Sequence, residues 1–296
     1  MALVAPSAPP DLREALASFL IEEELGRGGM GTAYRALDAE TGETRCLKVL
    51  RPGLAYDEDF VGRLAQEAIS MAQLDHPGIV RFHRIGREGH FYYLVLEYVE
   101  GQDLGRLIDA SSRLEVGRVV RFGVEVCRAL EYAHARNVIH RDIKPSNLLV
   151  DARDHVRLTD FGLARILDVR KKRITDTGTI LGSVRFSAPE LFEDAKRAGP
   201  LADQYSLAST IYFALTGQFP VPGRALRDFV QGVDTRPRIP LLDRRPDVPC
   251  ALSEGLERAL AKDPAERFPA IAEFRGAIEA FAEGGPEGAP TATVVP

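Results

Sequence analysis

Hydrophobic and polar positions give the chain two textures that meet near residue 100. Across residues 19–99 the apolar runs are short and alternating: FLIEEELG, TAYRALD, TRCLKVL, IVRFHRIG and HFYYLVLEYV. Alternation of this kind predicts strands. The triplets Glu40-Thr41-Gly42 and Arg87-Glu88-Gly89 read as turns between them. One stretch breaks the rhythm. Within residues 57–74, Val61, Leu64, Ala65, Ala68, Ile69 and Met71 recur at three- and four-residue spacing, which predicts a helix face. Beyond Gly101 the helical period takes over. Val119, Val120, Phe122, Val126, Leu130 and Tyr132 predict a helix over residues 116–135, and further helices are expected at 203–215 and 256–261. Between them lie two short apolar runs, NLLV and VRLTDFG. A strand-rich first third followed by helices predicts an α+β protein of two lobes. The cleft between two lobes is a preferred place for a ligand.

Composition narrows the picture. Lys and Arg number 38 against 43 Asp and Glu, a formal net charge of −5, which argues against a dedicated nucleic-acid binder. It does not exclude an anionic small ligand, because phosphate sites are built from a few local groups and backbone amides. The three cysteines, Cys46, Cys127 and Cys250, lack metal-ligand or disulfide-framework spacing, and a reducing cytosolic compartment is expected. No apolar run approaches the roughly 20 residues of a membrane helix, and residues 1–10 lack the character of a signal peptide. Both ends are rich in Ala, Pro and Gly and read as tails or linkers.

Three groups of residues carry candidate chemistry. The first, Gly26-Arg27-Gly28-Gly29-Met30-Gly31, matches G-x-G-x-x-G directly after an apolar run. Such a loop also suits a dinucleotide fold, where it would open a helix. Here the segment after it alternates like a strand and turns at Thr41-Gly42, which favours a glycine-rich hairpin. Glycine lets a backbone approach phosphate oxygens without interference from Cβ; a flexible hairpin with no ligand is the plainer alternative. The second group is Lys48, inside an apolar strand, with Glu67 in the helix that follows. An ion pair between them would aim the ammonium at a phosphate; an edge-strand lysine facing solvent is the alternative. The third is His140-Arg141-Asp142-Ile143-Lys144-Pro145-Ser146-Asn147, followed by Asp160-Phe161-Gly162. One carboxylate there can orient an attacking hydroxyl, while an amide oxygen and a second carboxylate offer hard ligands suited to Mg²⁺.

Taken in order, Gly26, Gly28 and Gly31, Lys48, Glu67, His140-Arg141-Asp142, Lys144, Asn147, Asp160-Phe161-Gly162 and Ala188-Pro189-Glu190 resemble the signature set of the eukaryotic-like serine/threonine protein kinases, in wording closest to bacterial members. The resemblance implies a two-lobed kinase domain at residues 19–282, with an N-lobe at about 19–99 and a C-lobe at about 100–282. It leaves an N-terminal tail at 1–18 and a Gly/Pro/Ala-rich tail or linker at 283–296. It implies transfer of the γ-phosphate of ATP, with Mg²⁺ or Mn²⁺, to Ser/Thr hydroxyls of protein substrates. In this reading Asp142 handles the hydroxyl proton, Lys144 meets the γ-phosphate, and Asn147 and Asp160 hold the metal. Lys48, held by Glu67, grips the α- and β-phosphates. Leu96 resembles the gatekeeper, the backbones of Glu97 and Val99 meet the adenine edge, and Leu149 packs beneath the purine. Asp203 would anchor the catalytic loop, and Arg267 would pair with Glu190.

Several positions depart from the family pattern. Ala33 and Cys46 stand where valine and alanine are usual, so Cys46 is expected either to roof the nucleotide or to be an inert core thiol. Ser183 replaces a threonine and keeps its hydroxyl. No catalytic group is missing, which weighs against a pseudokinase scaffold. Lys144, the Ala-Pro-Glu segment and a threonine-bearing loop weigh against a small-molecule phosphotransferase. Thr175 and Thr177 resemble paired autophosphorylation sites that would act through Arg141; a solvated loop is the alternative. Met71, Phe82, His140 and Phe161 fall where the family stacks side chains between its lobes. The expected partners are protein substrates and the chain itself, with a homodimer left open and no nucleic acid. The expected location is cytoplasmic, or the cytosolic part of a larger membrane protein.

Overall fold

The computed structural model describes residues 8–51, 58–111, 113–161, 185–193, 199–222 and 237–282. Alternation in the first third becomes a five-stranded antiparallel sheet of β1 (Phe19–Arg27), β2 (Gly31–Asp38), β3 (Thr44–Leu50), β4 (Phe82–Glu88) and β5 (Phe91–Glu97), in the order β1-β2-β3-β5-β4. The two expected turns carry positive φ at glycine, +71° at Gly42 and +58° at Gly89, a conformation that other residues adopt at a cost. Leu47 and Val49 of β3 lie on the outer sheet face with Tyr34, Ala36, Tyr93 and Val95, in a core of their own. Alternation therefore puts Cys46 and Lys48 on the opposite, inner face. The helix expected between β3 and β4 is Glu58–Ala72, and its Leu64, Ala68 and Met71 join the main core with Leu94.

The outer face supplies a correction. The expected N-terminal tail contains helix α1 (Pro10–Ala15), and Leu12 and Leu16 are buried with Phe19, Ile21 and Phe91. A six-residue helix is too short to persist alone; burial of its leucines on the sheet holds it.

With the helix after β3 labelled α2, the C-lobe begins at β6 (Gly101–Asp103) and α3 (Leu104–Ser111), followed by the long α4 (Val116–His134). A small sheet, β6-β7-β8, contains β7 (Leu148–Asp151) and β8 (Val156–Leu158). The lobes are stitched where Val80 N–H donates to Leu158 O and Leu158 N–H donates to Gly78 O, both at 2.9 Å. Then come α5 (Glu190–Glu193), α6 (Pro200–Thr216), α7 (Leu241–Arg244), α8 (Cys250–Ala259) and α9 (Ile271–Ile278). Helix α6 is buried almost throughout, from Ala202 to Leu215, and its Asp203 accepts the backbone N–H groups of His140 and Arg141. None of the described helices is long and apolar enough to cross a membrane.

Candidate active site

The strand ends and the loop Val138–Asn147 meet in the cleft. The loop's anchor is Asp203, which has no exposed surface. Its Oδ1 accepts the N–H of Arg141 at 2.7 Å, and its Oδ2 accepts the N–H of His140 at 2.9 Å. A third contact was not read from the sequence: His134 Nε2 lies 2.8 Å from the same Oδ2. His134 ends α4, where apolar periodicity carries no information about a polar group. Burial alone would push the Asp203 carboxyl up. The His134 hydrogen bond and charge, with His140 and the Arg141 N–H, hold it below the usual carboxylate range. The anchor matters because Arg141 has φ +66°, a region that non-glycine residues hold only when their surroundings enforce it.

His140 carries the loop's second tie. Its Nε2–H donates to Thr159 O at 2.7 Å, which leaves Nδ1 to accept the Asp142 N–H at 3.2 Å. Its ring packs 4.7 Å from that of Phe161, while Met71, Phe82 and Phe161 line a common cavity with Leu96. The four residues expected to stack between the lobes thus lie together.

Above this base the expected catalytic groups converge. Lys144 Nζ donates to Asp142 Oδ2 at 2.6 Å. Asn147 Nδ2 donates to Asp142 O at 2.8 Å and to Asp142 Oδ2 at 3.2 Å. The amide N–H groups are thereby turned to Asp142, and Oδ1 remains the group suited to a cation. Asp160, with φ +66°, accepts from Lys48 Nζ at 2.6 Å. Burial would raise its pKa, but the charge and hydrogen bond of Lys48, then Lys144 and His140, lower it. This pairing modifies one expectation. Lys48 is bonded to Asp160 rather than to Glu67, which is itself buried in α2. The left-handed Asp160 brings its carboxylate to the ammonium, and a half-buried lysine takes the nearest anion.

The nucleotide-facing expectations fall on one surface. In the ladder Ala33 opposes Lys48, and Cys46 opposes Leu96, so Ala33, Cys46, Lys48 and Leu96 share the inner face. Burial pushes the Cys46 thiol up to about 11; the neighbouring charges of Lys48 and Asp160 lower and raise it respectively. Gly26 and Gly28 have open space where a Cβ would be. Gly31 differs: a Cβ there would run into the carbonyl of Val49, so sheet packing requires this glycine. Glu97 uses its own N–H to reach Arg81 O at 2.8 Å, which leaves its carbonyl as the backbone group for a ligand. Val99, two residues further on, and Leu149, on β7, are half-buried.

Arg267 is fully buried and donates to both Glu190 carboxylate oxygens at 2.6 and 2.9 Å, as expected from the sequence. Thr175, Thr177 and Ser183 lie outside the described residues. Arg141 is described, and its Nε is buried without a hydrogen-bond partner. Among the described residues no cluster of three or more His, Cys, Asp or Glu forms a metal cage. The Asn147 and Asp160 oxygens suit a cation shared with phosphate oxygens, which is how Mg²⁺ is commonly held.

A protein kinase domain model matches residues 19–273. Serine/threonine-protein kinase PknA of Mycobacterium tuberculosis is 33% identical over 273 residues, covering 90% of this chain and 62% of the relative. PknJ of the same species is 37% identical over 276 residues, covering 91% and 46%. PrkC of Bacillus subtilis is 33% identical over 256 residues, covering 86% and 39%. The chain thus spans less than two thirds of these relatives' own length. The crystal structure of the M. tuberculosis PknI kinase domain superposes with a TM-score of 0.71 at 30% identity, covering 90% of this chain and 97% of that one.

Proposed function

The chain belongs to the protein kinase domain family, as a bacterial-type serine/threonine protein kinase, and on that premise we infer that it uses ATP and Mg²⁺ to phosphorylate protein Ser/Thr hydroxyls, its own included. The observation that carries this reading is the convergence of Asp142, Lys144 and Asn147 opposite the Lys48–Asp160 pair. Bound ATP would supply the γ-phosphoryl group, with the cation neutralising its charge. Asn147 Oδ1 and the Asp160 carboxylate would hold that cation. They fit it because both are hard oxygen donors and the lowered pKa keeps Asp160 ionised at neutral pH.

The remaining work is positioning. Asp142 would accept the hydroxyl proton, its Oδ2 being fixed by Lys144 and Asn147. Lys144 would neutralise the transferring phosphoryl group, and Lys48 the α- and β-phosphates. The glycine-loop amides would cover the phosphates at the open Gly26 and Gly28 positions. Ala33, Cys46, Leu96 and Leu149 would enclose the adenine, with the Glu97 carbonyl and the Val99 backbone along its edge. With Asp160 serving as a ligand of the cation, Lys48 would pair with Glu67 instead.

The buried Nε of Arg141 supports control through the loop threonines. A phosphothreonine brings a charge of about −1.5 to −2 and would give that Nε an acceptor. The test is incubation with Mg-ATP and mapping of new phosphates by mass spectrometry, with Asp142→Asn as the blank. Phosphate on Thr175 or Thr177 in the intact chain alone is the expected result. No incorporation into the chain or into generic protein substrates would overturn the reading.

A further inference from the structure

The strand that leads into the glycine loop slips register twice, at Glu22 and again at Leu25, directly before the loop. Glu24 pairs with Tyr34 and Gly26 with Ala33, so Leu25 between them has no partner of its own in the ladder. Such a bulge takes one peptide out of the sheet and re-aims its polar groups. The Leu25 carbonyl accepts from Arg106 Nη2, at 3.2 Å, on helix α3 of the C-lobe. The contact crosses the mouth of the cleft, one residue before Gly26.

Arg106 is held for this contact from below. Asp103 caps α3, its Oδ1 accepting the Arg106 backbone N–H at 3.0 Å. Its Oδ2 lies 3.3 Å from Arg106 Nε. Of the two residues between them, Leu104 and Gly105, the second is the one where a Cβ would come within 2.9 Å of Asp103 Oδ1. A side chain at that position would crowd the carboxylate out of its place beside Arg106. The bulge, the arginine and the cap with its glycine therefore form a single clasp between the lobes.

We propose that Arg106 is a positioning residue that fastens the root of the glycine loop to the C-lobe and thereby sets how fast nucleotide leaves the cleft. The proposal rests on the nucleotide reading given above. Opening the cleft on this side requires the Arg106–Leu25 bond to break, and the bond touches neither the phosphates nor Asp142. Its loss is therefore expected to act on nucleotide residence and not on phosphoryl transfer. The Arg106 side chain is 64% exposed, so water competes for the bond. The expected effect is about three- to fivefold, the range of an ordinary hydrogen bond in contact with water and below that of a desolvated charge-assisted one.

The experiment follows release of a fluorescent ADP analogue by stopped flow from wild type, Arg106→Met and Arg106→Lys. Arg106→Met keeps the length of the side chain and removes its donors. It should release the analogue about three- to fivefold faster and raise the KM for ATP by a similar factor without lowering kcat. Arg106→Lys, which keeps a cation, should fall between. An Arg106→Met release rate equal to wild type, or a fall in kcat at unchanged KM, overturns the clasp while leaving the nucleotide reading intact. A wild-type chain that binds no nucleotide overturns both.

Discussion

Replacing Asp203 with Asn changes one oxygen of a fully buried carboxylate into an amide donor. That carboxylate accepts from His140 N–H, Arg141 N–H and His134 Nε2. Whichever way the amide is turned, its NH₂ faces at least one of these donors, and a buried N–H loses its acceptor. Leaving such a group unsatisfied costs about 1–3 kcal/mol, and losing a charge-assisted bond about 1.5–3 kcal/mol more. The sum, about 2.5–6 kcal/mol, brackets the usual cost of about 3–5 kcal/mol for breaking a buried charged pair and corresponds to a fall of roughly 10 °C in Tm. The functional effect follows from Arg141, whose left-handed backbone relaxes once its N–H is released. Asp142 then shifts, and a displacement near 1 Å costs on the order of a hundredfold in kcat. The KM for ATP should stay within about twofold, because Lys48 and the glycine loop do not rest on Asp203. The pH dependence has a definite sign. A carboxyl whose folded pKa is depressed contributes stability that is present above the unfolded value of about 3.9 and lost as pH falls through the folded one. The stability gap between wild type and Asp203→Asn should therefore narrow below about pH 4. Thermal unfolding by circular dichroism between pH 3 and 8, with steady-state kinetics at neutral pH, measures both effects. A variant within about 1 kcal/mol of wild type, with a gap independent of pH, would show that Asp203 does not anchor the loop.

Other positions give equally definite expectations. Arg267→Met leaves Glu190 and the carbonyls of Leu201, Ala261 and Lys262 without their donor, and should cost about 3–5 kcal/mol in urea unfolding. Leu12→Ala opens a cavity between α1 and the sheet; it should cost about 2–5 kcal/mol if the segment is part of the folded domain and close to nothing if it is a loose tail, and thermal unfolding separates the two. Cys46, with its thiol pushed up to about 11, should react slowly with a thiol reagent at pH 7.5. Labelling should slow further with Mg-ATP, and equal rates with and without nucleotide would remove Cys46 from the adenine pocket.

The parts of this molecule that were legible in the sequence are those written in contiguous residues. Period-two alternation and the glycines at 42 and 89 specify the N-lobe strands and their turns, because backbone geometry there depends on neighbours a few positions away. The candidate site is legible for the same reason: Asp142, Lys144 and Asn147, the proposed catalytic groups, are packed into six residues, and Lys144 and Asn147 both bond Asp142. What was not legible depends on distant packing. Helix α1 exists because Leu12 and Leu16 find the outer sheet face, which an Ala/Pro-rich stretch does not announce. The choice of Asp160 over Glu67 by Lys48 turns on where a left-handed backbone places one carboxylate across the cleft. His134 escaped because periodicity reads apolar faces, whereas its role comes from meeting α6 in three dimensions. The slip in register at Leu25 belongs to the ladder and leaves no mark in composition.

In the proposed mechanism Asp142, fixed by Lys144 and Asn147, drives phosphoryl transfer to a protein hydroxyl. The most direct measurement is transfer of labelled γ-phosphate from Mg-ATP to a generic protein substrate, comparing wild type with Asp142→Asn. Identification of the phosphorylated amino acids completes the assay. Phosphate on serine and threonine, with kcat lowered about a hundredfold or more in the variant and thermal stability retained, is the predicted result. Equal transfer by both proteins, or no transfer by the wild type, would contradict the account.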